Sequence, residues 1–431
     1  MLTTPLIRDA PGCLYTVTAV PPDPYPRLEG DLRVDVAVVG GGYTGLSTAL
    51  HTALAQRTVA LLETHEPGWG AAGRNGGQVN AGLKHEPDEV ERDLGATFGP
   101  RLVRLSSRAP DVLFELIERL GIDCEARRAG TLRAAYQPSH AAAVRASAEQ
   151  WQRRGVDVEW WDAARVAEAT GTSRYLGATF DPRGGSVNPL SLARGLARAA
   201  RAAGATIHGD SPAQRIERDG QHWRISTPAG TVLARTVVIA TDGYSGRLWP
   251  GLRTSIVPIY SSIAATEPLP PALRASVLPR GEVVYESGDI TVYYRIDEGG
   301  RLLMGGRGSQ HRTSVRADYR HLIRYARRLW PGLADVQWMN WWNGQFALTP
   351  DFYPRVHSPA PNLLIALGYS GRGVALGTAL GAEIARAAAG EPLDSLPIPV
   401  SDIPRVPFHA FWRIGVTARV AYGRLLDRFG Q

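Results

Sequence analysis

Lysine is almost missing from this chain: Lys84 is the only one among 48 basic residues. Arginine therefore carries the formal charge of +7, scattered along helix-like stretches such as RLVRLSSR and LARGLARAARAAG rather than interleaved with aromatics. That distribution describes solvated helix faces and argues against a nucleic-acid interface, while leaving room to attract acidic substrates. Cysteine is nearly as rare. Cys13 and Cys124 are the only two, too few and too far apart for a disulfide framework or a thiolate metal cluster. No HExxH or comparable histidine spacing occurs, so metal catalysis has no support. Nowhere does the chain hold the ~18 uncharged apolar residues of a membrane span. MLTTPLIRDAPG also lacks the basic-then-apolar order of a signal peptide, so a cytoplasmic location is expected. Internal repeats and low-complexity tracts are absent as well.

What is present is a large apolar inventory. With 431 residues, 44% of them hydrophobic, the chain can bury a sizeable core and is expected to divide into two domains. The strongest pattern is DVAVVGGGYTGLSTALHTALAQ. A β-like run, Val36 to Val39, leads into Gly40-x-Gly42-x-x-Gly45, and then Leu46, Ala49, Leu50, Ala53 and Leu54 mark one helix face. A second β-like run, TVALLE, ends on Glu63. This is a βαβ dinucleotide fingerprint: Gly40 permits the turn, Gly42 admits a pyrophosphate, and Gly45 lets helix and strand pack closely. The helix N-terminus offers free amides to phosphate, and Glu63 can accept from ribose hydroxyls. A glycine-rich loop with one arginine, EPGWGAAGRNGGQ, follows where a nicotinamide dehydrogenase would continue with further βα units.

VVGGGYTGLSTAL, LLE and GWGAAGRNGGQ together resemble the D-amino-acid-oxidase type of FAD-dependent oxidoreductase, and within it the branch of γ-glutamylputrescine oxidoreductase. RTVVIATDGYS, LLIALGYSGRGVALG and the tail PFHAFWRIGVTARVAYGRLLDRF are similar to that branch too. The resemblance implies an α/β fold with an α+β second domain: a Rossmann-like FAD-binding domain and a discontinuous substrate domain on an antiparallel sheet. The expected FAD-binding segments are 30–95, 170–250 and 343–395; the substrate segments are 96–169 and 251–342. Residues 1–29 form an arm and 396–431 a helical tail.

The resemblance also implies site residues. Gly40, Gly42, Tyr43, Thr44 and Gly45 would form the cofactor-binding turn, with Gly42 nearest the pyrophosphate, and Glu63 and Thr64 would meet the adenosine ribose. Trp69, Gly70 and Ala71 would line the path to the flavin, which Arg74, Asn75, Gly77 and Gln78 would approach. Ala213 matches a position whose backbone meets adenine; Ala240 and Thr241 close the nucleotide end; Gly371, Arg372, Gly373 and Val374 approach the flavin. Noncovalent FAD follows from two departures: Gly70 stands before Ala71-Ala72-Gly73 where some relatives carry an attachment histidine, and no cysteine occurs beyond Cys124. There is no second fingerprint for NADPH, so electrons should come from the substrate.

The implied reaction is oxidation of a primary or secondary amine, with oxygen or another acceptor regenerating the cofactor. A subunit requiring a partner is the alternative, and the C-terminal helix with Arg413, Arg419, Arg424 and Arg428 could dock one. Tyr260, Arg295, Trp342 and Gln345 are the expected substrate-side residues, with Tyr285, Tyr293, Tyr294 and Trp341 as further candidates. Arg295 reads either as a bidentate partner for a carboxylate or as a strand arginine facing water. The cluster Trp330, Trp338, Trp341 and Trp342 reads either as an aromatic wall or as sheet core. Lys84 occupies no position at which relatives place a lysine for oxygen reduction, and His51 reads as structural. A weaker rival is a serine hydrolase: Gly368-x-Ser370 begins a nucleophile elbow with Asp394 and His409 downstream, but Arg372 replaces its last glycine.

Overall fold

The computed structural model describes residues 12–288 and 291–429, so the segment 1–11 lies outside the described residues. Two sheets dominate. The first has nine strands, with Gly30–Val39 at its centre, parallel to Gly230–Ile239 on one side and to Val59–Leu62 on the other. Leu363–Leu367 adds in parallel beyond the upper half of Gly230–Ile239, and Thr206–His208 beyond Val59–Leu62. The hairpin Arg215–Asp219 and His222–Ser226 pairs antiparallel to the lower half of Gly230–Ile239.

A parallel sheet buried on both faces needs continuous apolar strands, and Val36 to Val39 supplies one. Val36 and Val38 face the helices Tyr43–Leu54, Pro189–Ala202 and Ala375–Ala388. Ala37 and Val39 face the opposite layer with Ile239, Leu252 and Ala347. The apolar face expected for the first helix is buried at Leu46, Ala49, Leu50 and Ala53. Leu54, at the helix end, is 49% exposed instead.

The second sheet has eight strands and is antiparallel except for Val283–Glu286 beside Thr131–Ala135. Period-two alternation splits its residues. Ala264, Leu302 and Met304 pack outward with Tyr294, Trp330, Trp338 and the helix Arg320–Leu329. Ile263, Ala265, Leu303 and Trp342 pack with Tyr15 beneath. Trp330, Trp338 and Trp342 are thus sheet core rather than one aromatic wall. The strand Gly177–Asp181 pairs with Thr131–Ala135 in this sheet, although segment 170–250 was expected on the nucleotide side. Trp338–Leu348 runs through the expected boundary at 342, because its pairing with Val257–Pro268 extends to Leu348.

Helix Pro87–Arg119 is interrupted at Gly95, whose φ of 69° takes a left-handed turn. The tail carries the helix Trp412–Phe429, in which Ile414 and Tyr422 are exposed, and Phe411 just before it is exposed as well. The side chains of Arg424 and Arg428 lie outside the described residues.

Candidate functional site

The three fingerprint glycines have separate geometric reasons. Gly40 has φ of 111°, and a Cβ there would lie 2.7 Å from the Ala240 carbonyl oxygen. Gly45 faces Gly40 itself: a Cβ would meet its oxygen at 1.9 Å. Gly42 is different, because a Cβ there would touch only Ala72, at 4.0 Å, and would project into a cavity of about 660 Å³. That cavity runs between the carboxyl ends of the parallel strands and the inner face of the second sheet.

Its nucleotide side is lined by Gly40, Gly42, Tyr43, Thr44, Glu63, Thr64, Ala240 and Thr241. Glu63 accepts from the amides of Gly41 at 2.7 Å and His65 at 3.0 Å. Burial nevertheless holds its carboxyl above the ordinary value. Trp69, Gly70, Ala71, Arg74, Asn75 and Gln78 continue the lining. Trp69 stacks on His65, and the Arg74 guanidinium lies 4.3 Å from its ring centroid. Arg74 is 4% exposed, and among the described residues its Nε and Nη2 have no hydrogen-bond partner. Orphaned donors on a buried cation are costly, and these two match an anionic or carbonyl-bearing ligand in the cavity.

Asn75 and Gln78 hold the loop rather than reach across the cavity. Asn75 Nδ2 donates to the carbonyls of Ala71 and Ala72, and its Oδ1 accepts from the Gly77 amide. Gln78 Nε2 donates to the carbonyls of Val284 and Tyr294, fastening the loop to the second sheet. The far wall comprises Gly371, Arg372, Gly373 and Val374, just before the helix Ala375–Ala388. That helix approaches Tyr43–Leu54 closely because Gly381 faces Ser47, where a Cβ would come within 2.6 Å.

Seven expected site residues do not line the cavity. Gly45 and Gly77 pack against backbone, and Ala213 packs under the first sheet. Arg295 is 3% exposed, and its guanidinium donates to the carbonyls of Gly76 at 2.7 Å and Val187 at 3.2 Å. It braces the Arg74–Gln78 loop from beneath and is turned away from both water and the cavity lining. Trp342 likewise donates Nε1 to the Arg74 carbonyl at 2.9 Å. Gln345 donates Nε2 to the Gly243 carbonyl. Tyr260 donates its backbone amide to Gln310 Oε1 and stands outside the cavity wall. Tyr285 and Tyr293 do line it, whereas Tyr294 is core and shares a hydrogen bond with Tyr175.

Ser370 is buried in a left-handed turn, φ 51°, with Oγ donating to the Gly368 carbonyl at 3.2 Å. Asp394 gives its carbonyl to Arg101, and His409 bonds the Ile256 carbonyl. No hydrogen bond joins the three, so there is no hydrolytic triad. His51 is structural, bonding the Ser47 carbonyl one turn back.

Sequence reasoning missed Asp242, Phe346, Arg133, Arg307 and the position of Lys84. Asp242 accepts from the amides of Gly368 and Ala347, tying three segments together at the cavity rim. Its signal was the ATDG turn after an apolar strand. The other four converge from segments distant in sequence and left no local pattern.

A parallel dinucleotide-binding sheet facing an antiparallel sheet across one deep cavity defines a flavoprotein oxidoreductase. The family model for FAD dependent oxidoreductases, DAO, matches residues 35–387, and the chain belongs to that family. Its cofactor is FAD. Gamma-glutamylputrescine oxidoreductase from Escherichia coli (strain K12) is 32% identical over 96% of this chain and 98% of its own. The crystal structure of glycine oxidase from Geobacillus kaustophilus superposes with a TM-score of 0.72 at 25% identity, covering 84% of this chain and 96% of that one. L-Proline dehydrogenase from P. horikoshii shares the fold, with a TM-score of 0.71 at 20% identity over 86% of this chain and 96% of that one. Among the described residues, no helix is long and apolar enough to cross a membrane.

Proposed function

We propose that the protein oxidises the C–N bond of a primary or secondary amine. Amine, water and an electron acceptor give an aldehyde or keto product, ammonia or a smaller amine, and the reduced acceptor, with oxygen as the terminal acceptor. The observation that carries this reading is the single cavity shared by dinucleotide-binding elements and the inner face of the second sheet. The relationship to gamma-glutamylputrescine oxidoreductase supports an amine donor.

FAD, when bound, supplies the electron sink for hydride leaving the amine carbon. The chain binds, orients and desolvates. The turn at Gly40 to Thr44 would hold the pyrophosphate, Glu63 the ribose, and Arg74 the ligand's acceptor atoms. Tyr285, Tyr293 and Phe346 cover the opposite wall and exclude water from the reacting carbon. Attachment is noncovalent in this reading, because both thiols are buried away from the cavity and pushed up by burial to about 12. Two buried free thiols also suit a reducing, cytoplasmic compartment. We assign the nucleotide-binding part to the nine-stranded sheet and its helices, and the substrate part to the eight-stranded sheet.

The test is turnover of FAD-loaded protein with a panel of amines and amino acids that includes γ-glutamylputrescine, assaying carbonyl product and ammonia. Consumption of one donor with matching product is expected. A flavin-loaded protein that consumes none of them would overturn the reading.

A further inference from the structure

The tail helix Trp412–Phe429 has two apolar sides, and only one is sheltered. Val416 and Val420 are half-buried and Gly423 is buried, at i, i+4 and i+7 along one side. On the other side Ile414, Ala418 and Tyr422 follow one another at i, i+4 and i+8, and Phe411 lies a turn below them. Phe411 is 62%, Ile414 68% and Tyr422 56% exposed. Phe408, 85% exposed, takes the left-handed turn, φ 53°, that leads into this row. Among the described residues, these are four of the eleven large apolar side chains that stand exposed, so the apolar surface is concentrated here rather than scattered. The row is also fixed in place. His409 Nε2 bonds the Ile256 carbonyl at 2.9 Å, and the Val406 amide donates to the Thr254 carbonyl at 2.8 Å.

Charge says what covers such a face. From Asp402 to Gly423 the chain carries Arg405, Arg413 and Arg419, all exposed, against the single acid Asp402. Arg413 lies over the Trp412 ring at 5.4 Å and Arg419 over the Tyr422 ring at 6.0 Å, and aromatic faces orient a guanidinium without cancelling its charge. Two copies meeting here on a two-fold axis would bring like charges together. A bilayer with anionic headgroups accepts both features: phosphates meet the guanidinium groups, and the acyl boundary takes the aromatic and aliphatic side chains.

We propose that the tail helix is a peripheral docking element that lays Phe411, Ile414 and Tyr422 into the surface of an anionic lipid bilayer, with Arg413 and Arg419 against its phosphates. The helix lies in the plane of the interface and does not cross the membrane. None of these residues lines the cavity, so docking and amine oxidation stand or fall separately.

The test is flotation of the FAD-loaded full chain with lipid vesicles on a density gradient. Vesicles of phosphatidylcholine alone are compared with vesicles holding about one-third phosphatidylglycerol. Wild type is expected to float with the anionic vesicles and to stay behind with the neutral ones, and raised salt should weaken the binding. A charge of +7 would by itself draw the protein toward an anionic surface, so the apolar row decides. Phe411→Ser combined with Ile414→Ser should weaken binding by about tenfold or more. Arg413→Gln combined with Arg419→Gln should weaken it by about tenfold. FAD content and near-ultraviolet circular dichroism establish that the variants are folded and loaded. Equal vesicle binding by wild type and the Phe411→Ser, Ile414→Ser protein overturns the docking element, as does no binding at all or equal binding to neutral vesicles. Sedimentation velocity reads the other occupant. A wild-type dimer that the apolar variant dissociates, with no flotation, assigns the face to a second copy and overturns lipid docking.

Discussion

Alanine at Gly45 tests whether the fingerprint turn is held by packing. The added Cβ would sit 1.9 Å from the Gly40 carbonyl oxygen and 3.3 Å from Val38 Cγ1. Carbon–oxygen contacts relax near 3.3 Å, so helix Tyr43–Leu54 must retreat by roughly 1.4 Å. It has little room, because Ser47 Oγ donates to the Thr378 carbonyl at 2.7 Å across the close contact with Gly381. Overpacking costs about 1–3 kcal/mol, and alanine recovers about 1 kcal/mol of helix propensity. A clash between two backbone segments belongs at or above the top of that range, leaving a net loss of about 2 kcal/mol. Gly42→Ala is the counterpart. Its Cβ enters the cavity and meets only Ala72, so stability should hold within about 1 kcal/mol while FAD affinity collapses. Urea unfolding of the FAD-free proteins and titration with FAD separate the two effects. An unchanged unfolding midpoint for Gly45→Ala, or undiminished FAD affinity for Gly42→Ala, would refute this reasoning.

Three further outcomes follow from the site. Arg74→Met should weaken FAD binding by about 10- to 100-fold, the range for a lost charge-assisted hydrogen bond, with little change in unfolding midpoint; an FAD titration decides it. Ser370→Ala should keep FAD and most turnover, since Oγ is spent on the Gly368 carbonyl; steady-state assay would expose a nucleophile by near-total loss. The third concerns pH in the FAD-free protein. Burial raises the Glu63 carboxyl above its ordinary 4.5, so the native state takes up the proton before the unfolded chain does. The resulting stabilisation is full below 4.5 and is lost as pH rises through the folded value. Urea unfolding at about pH 5 and about pH 7 should show a smaller pH decrement in Glu63→Gln than in wild type.

Local patterns made half of this site legible. Gly40, Gly42 and Gly45 could be read because strand, turn and helix follow one another within one βαβ unit, and period alone separates them. The strand Leu363–Leu367 and the turn after it were readable for the same reason. The second-sheet wall was not. Arg295 is an attractive carboxylate ligand in sequence, but strand register turns it under the loop at Gly76. Tyr293 faces the cavity and Tyr294 the core by strict alternation, and nothing in YYR says which parity wins. Lys84 looked unremarkable because its cationic neighbours sit on a strand near 133, a strand ending at 307 and a turn at 372. Only sheet pairing brings them together.

On the proposed function, an amine reduces a flavin held in this cavity. Anaerobic mixing of the FAD-loaded protein with a carboxylate-bearing amine such as γ-glutamylputrescine tests it most directly. Bleaching of the visible flavin bands is expected, with one carbonyl product formed per flavin. A flavin that stays oxidised against every amine and amino acid offered, in protein shown to be folded and fully loaded, would contradict it.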